Sequence, residues 1–99
     1  MRVLVVDPDE GFASEVSEIV RGRGVEAVHA ASPDQMSAQM RIRDFDAVVI
    51  DLSLRRMNGF DVARELRVSH PASELEIILV SPRHKPDARE ILSLKSDVE

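Results

Sequence analysis

The stretch DAVVIDLSLRRMNGF at residues 46–60 carries the fold. Ala47, Val48, Val49 and Ile50 form an unbroken apolar run, which is how a strand reads when both its faces are covered. The run stops at an acid, Asp51, and a turn ending at Asn58-Gly59 follows. A carboxylate at the C-terminal mouth of a buried strand is where an α/β protein places chemistry. Two further runs end alike. Val3 to Val6 leads into Asp7, and Ile77 to Val80 leads into Ser81. Parallel strands would bring Asp7, Asp51 and Ser81 to one sheet edge, a setting suited to a hard cation and a phosphoryl group.

Helical patterns separate the runs. Phe12, Val16, Ile19 and Val20 recur at i, i+4, i+7 and i+8, and Gly22 and Gly24 stop that helix. Val25 to Ala30 is interrupted by Glu26 and His29 and is placed at a sheet edge. Ser32 caps a second helix with Pro33 in its first turn and Met36 and Met40 inward. Asn58 caps a third, with Gly59, Val62, Ala63 and Leu66 on its buried face, ending at His70-Pro71-Ala72. Pro86-Asp87 opens a last helix with Ala88, Ile91 and Leu92 inward. The order βαβαβαβα predicts a flavodoxin-like parallel sheet, strand order 2-1-3-4, with helices on both faces. Asp7 and Asp51 then end adjacent strands.

Composition narrows the function. The 99 residues are 43% apolar and 31% charged, as expected of one globular domain. A net charge of −5 and three aromatic residues, all Phe, argue against nucleic-acid binding. No cysteine is present, so thiol and disulfide chemistry are excluded. No run approaches the ~20 apolar residues of a membrane span, and no secretion signal precedes the first strand, which makes a cytoplasmic location the expectation. His29, His70 and His84 are scattered and read as surface or loop residues. Asp9 and Glu10 read as first-turn acids favoured by the helix dipole. Arg55-Arg56 reads as solvated surface.

The segments VLVVDPDE (3–10), DAVVIDLSLRRMNGFDVAREL (46–66) and LEIILVSP (75–82) together resemble response-regulator receiver domains of two-component signalling. They supply, in order, the first strand with its acidic loop, the third strand with phosphoacceptor and turn, and the fourth strand with its hydroxyl. Ser81 follows Asp51 by thirty positions, as in that family. The resemblance implies that Asp51 accepts a phosphoryl group from a phosphohistidine on a histidine kinase. It implies Mg²⁺ on Asp7, Asp51 and the backbone carbonyl of Ser53. It implies that the Ser81 hydroxyl bonds the phosphoryl group and moves as a switch.

Four features depart from the family. Pro8 stands where a second acid normally binds the metal, and Asp9 is one residue out of register. Pro82, without an N–H, stands where a backbone donor normally meets the phosphoryl group. By spacing, the lysine of a fifth strand would lie beyond Glu99. Lys85 and Lys95 come too early to replace it, and Arg55 replaces the usual turn proline. The expectation is one receiver-like domain over residues 1–99, incomplete after the fourth βα unit, that is not an enzyme. Mg²⁺ binding is expected to be weak and phosphoryl acceptance impaired or lost. Output would come through protein contacts, including self-association through the edge of the fourth strand.

Two alternatives stay open. One is an intact phosphoacceptor receiver, which Mg²⁺ binding distinguishes. The other rests on Asp7-Pro8-Asp9, which is similar to the nucleophile loop of haloacid dehalogenase-like phosphatases. There Asp7 would be the nucleophile and Asp9 the acid/base. Ninety-nine residues leave little room for that fold, and it leaves Asp51 unexplained.

Overall fold

The computed structural model describes residues 1–51 and 59–80. The element order is β1 (Arg2–Val6), α1 (Glu10–Arg21), β2 (Glu26–Ala30), α2 (Pro33–Ile42), β3 (Ala47–Asp51), α3 (Gly59–Ser69) and β4 (Glu76–Val80). The four strands form one parallel sheet in the order β2-β1-β3-β4. That is the flavodoxin-like order expected from the alternation of apolar runs and helical patterns. β2 lies at an edge, as its broken apolar run implies.

Side chains alternate across the sheet and build two cores. Val3, Val5, Ala47 and Val49 face α1 and pack on Phe12, Val16 and Val20. Leu4, Val6, Val48 and Ile50 face the other way and pack on Met36, Val62 and Leu66. This two-sided burial explains why residues 3–6 of β1 and 47–50 of β3 are all apolar. Leu4, Val6 and Ile50 are fully buried, and each contributes about 1.5–3 kcal/mol by leaving water.

The helix boundaries follow local chemistry. Ser32 accepts the N–H of Gln35 through its hydroxyl at 3.2 Å, with Pro33 in the first turn of α2. α1 ends at Gly22, and Gly24 reverses the chain at φ 78°, a left-handed conformation that glycine adopts without a Cβ penalty. α3 ends at Ser69, just before His70-Pro71. The proposed Asn58 cap, Ser81 and the last helix from Pro86 lie outside the described residues. Among the described residues, no helix is long and apolar enough to cross a membrane.

Candidate functional site at the C-terminal edge of the sheet

The register of the central strands builds the site. Val6 of β1 pairs with Ile50 of β3, so the next residues on the two strands are Asp7 and Asp51. Adjacent strands run about 4.8 Å apart, which places the two acids side by side. Both are almost completely buried, with 1% of Asp7 and 2% of Asp51 exposed. On the far side of Asp51, Val80 of β4 is its partner in register. Ser53 and Ser81 lie outside the described residues.

Asp7 is tightly held. Its N–H donates to the carbonyl of Ala30 at 3.0 Å, continuing the ladder with β2. Its Oδ1 accepts the N–H of Asp9 at 2.8 Å, an Asx-type turn across Pro8. Pro8 itself is exposed. Asp9 is the N-cap of α1 and accepts the N–H of Phe12 through Oδ1 at 3.1 Å. One oxygen of this out-of-register acid is therefore committed to the helix start. Glu10 lies in the first helical turn, where the sequence places it.

Two buried like charges at neighbouring strand ends repel, and burial penalises each of them. A divalent cation between them relieves both costs, so the pair fits Mg²⁺, which takes one or two carboxylates and keeps several waters. Among the described residues, no three His, Cys, Asp or Glu side chains form a metal-ligating group. Asp7 and Asp51 stand at the ends of adjacent strands, while an oxygen of Asp9 is directed to the helix.

His29 corrects the sequence reading. It is half-buried on β2, and its Nε2 lies 2.7 Å from the carbonyl oxygen of Asp7. A carbonyl only accepts, so Nε2 carries the proton and donates. No ligand spacing marks this residue. Its place became visible only through the register that pairs His29 with Val5, two residues before Asp7.

Known proteins carry the same fold and sequence pattern. Residues 3–97 match the response regulator receiver domain family. The DNA-binding response regulator MtrA of Mycolicibacterium smegmatis is 38% identical over 66 residues, covering 67% of this chain and 29% of that protein. A response regulator receiver protein of Anaeromyxobacter is 32% identical over 77 residues, covering 78% of this chain and 32% of that protein. The chain thus spans about a third of the length of these curated relatives. Among solved structures, the chemotaxis response regulator CheY4 of Vibrio cholerae superposes with a TM-score of 0.84 at 20% identity, covering 99% of this chain and 98% of that one. That likeness shows the fold. The response regulator TrrA of Thermotoga maritima, solved in complex with Mg²⁺-BeF, gives a TM-score of 0.70 at 25% identity over 81% of this chain and 68% of that one. By the family match over nearly its whole length, with both acids at the expected strand ends, this chain belongs to the response regulator receiver domain family.

Proposed function

We propose that residues 1–99 act as a receiver-like module of a two-component system whose phosphoryl acceptance at Asp51 is impaired. The observation that carries this is that Asp7 and Asp51 directly follow the paired residues Val6 and Ile50, beside an Asp9 whose Oδ1 caps α1. The position is right for a phosphoacceptor, but the metal's carboxylate set is depleted. Pro8 brings no carboxylate, and Mg²⁺ demands near-ideal octahedral geometry, so a displaced acid substitutes poorly.

In the reaction, an Asp51 oxygen attacks the phosphorus of a phosphohistidine on a histidine kinase. The N–P bond breaks, its electron pair stays on the imidazole, and an aspartyl phosphate forms. Asp7 and Asp51, with the carbonyl of Ser53, would hold the metal, and Ser81 would bond the phosphoryl group. Mg²⁺ would neutralise charge on that group. Pro82 removes one backbone donor, and a single such donor is worth about 3 kcal/mol where it meets a transition state. The main role is then signalling through protein contacts, with a cytoplasmic histidine kinase or another signalling protein as partner.

Nothing favours the phosphatase alternative. Oδ1 of Asp9, the acid/base of that reading, is engaged by the Phe12 N–H at the start of α1. Nucleic-acid contact by this domain is not proposed, although MtrA, one relative, is a DNA-binding protein.

The test is an amide NMR titration with Mg²⁺, then Mg²⁺ with beryllofluoride, a mimic of aspartyl phosphate. The expected result is weak Mg²⁺ shifts at Asp7 and Asp51, or none, and no structural response to beryllofluoride. A saturating beryllofluoride response that spreads beyond Asp51 would overturn the impairment and establish a working phosphoacceptor.

A further inference from the structure

We infer that His29 is a positioning residue that clamps Asp7 for the metal from the neighbouring strand. The inference rests on Asp7 being a metal carboxylate of the receiver site proposed above. At least three bonds hold this one residue. The ladder bond to Ala30 fixes its N–H, the His29 ring fixes its carbonyl, and the Asp9 amide fixes its carboxylate. Two of the three come from β2, an edge strand with no part in phosphoryl transfer.

The carbonyl that His29 holds belongs to the Asp7–Pro8 peptide. Proline restricts the residue before it to extended backbone, so Asp7 is already biased toward one ψ. Proline also offers no N–H with which the loop could tether itself at that point. The ring bond adds the missing tether. With peptide and carboxylate both held, the Asp7 side chain keeps one orientation. A ligand set short of a carboxylate depends the more on such pre-orientation, because outer-shell partners fix ligand geometry.

The surroundings suit a fixed ring. His29 lines a groove of ≈ 260 Å³ beside α1. Ser14, Ser17, Glu18 and Arg21 of that helix line the groove with it, and two of them have backbone partners. Ser17 Oγ donates to the Ala13 carbonyl at 2.8 Å, and Arg21 Nη2 donates to the Ala27 carbonyl at 3.2 Å.

The test compares wild type with His29→Leu, which keeps bulk but loses the donor, and His29→Gln, which keeps a donor of similar reach. In metal-free wild type, long-range ¹H–¹⁵N spectra of the ring should show the proton on Nε2. Exchange of the Asp9 amide should accelerate in His29→Leu and stay near wild type in His29→Gln. The Mg²⁺ dissociation constant should rise about tenfold in His29→Leu and stay within about twofold in His29→Gln. A proton on Nδ1 in wild type, or Leu and Gln variants that behave alike, would overturn the clamp. If wild type gives no Mg²⁺ response, the impaired-acceptor reading stands, the role of the clamp toward the metal is overturned, and the ring and amide data decide only whether His29 holds Asp7. Should His29→Leu not fold, the wild-type tautomer and the His29→Gln amide still decide it.

Discussion

The carboxylate of Asp9 accepts the backbone N–H of Phe12 at 3.1 Å, and this bond directs an acid of the first loop into the helix start. Asp7 accepts the Asp9 amide in turn at 2.8 Å, so the two acids have different tasks two residues apart. One faces the strand ends and the other caps α1.

Replacing Asp9 by Ala should therefore cost stability more than metal affinity. Loss of an N-cap is worth about 1 kcal/mol, and Asn, which caps as well as Asp, should restore most of it. Chemical denaturation of the two variants measures the difference. A large loss of Mg²⁺ affinity in Asp9→Asn would instead make Asp9 a ligand.

Pro8 is exposed and makes no donor bond, so a carboxylate can be introduced there at little packing cost. Pro8→Asp should strengthen Mg²⁺ binding by about tenfold or more if one missing ligand is the cause of weak binding. Isothermal titration calorimetry reads the constant directly. An unchanged constant would place the defect elsewhere in the site.

Asp51→Asn removes one of two adjacent buried charges. The metal-free protein should gain roughly 1 kcal/mol or more, since like charges a few ångström apart near a protein surface repel on that scale or above. The same variant should lose any stabilisation by Mg²⁺ and any response to beryllofluoride. Thermal melts with and without Mg²⁺ test both statements, and a destabilised metal-free variant would count against the repulsion.

At the opposite end of the sheet, Glu26 accepts from Arg2 Nε at 2.7 Å and Arg43 Nη1 at 3.3 Å. The Arg2 hydrogen bond, then the charges of Arg2, Arg43 and the N-terminus, lower the Glu26 carboxyl below its ordinary range against an opposing desolvation effect. A depressed folded-state pKa gives a contribution that is present above the unfolded-state pKa. It is lost as pH falls through the lowered value. The group is exposed, so the effect should be small and screened by salt. A carboxyl ¹³C titration should find Glu26 below ordinary glutamates, and Arg2→Gln should move it back up.

β4 borders the sheet among the described residues, and Ile77, Ile78 and Leu79 remain half-buried. An apolar border strand invites a partner strand. We expect the 99-residue chain to self-associate at tens of micromolar in sedimentation velocity. A single monomeric species across that range would remove this edge as a homodimer surface.

The sequence alone determined the layers, the strand order and the place of Asp7 and Asp51 at the ends of adjacent strands. Those follow from local patterns: unbroken apolar runs that require cover on both faces, helical spacings between them, and crossovers of one hand. The caps at Ser32 and the stop at Gly22–Gly24 were legible for the same reason, because the groups involved are neighbours in the chain. The helix-start role of Asp9 was legible likewise, whereas only the tertiary structure decided what His29 does. His29 reaches Asp7 across 22 positions by the register of β1 on β2. A hydrogen bond between parallel neighbours leaves no spacing signature, since its geometry exists only once the sheet has formed.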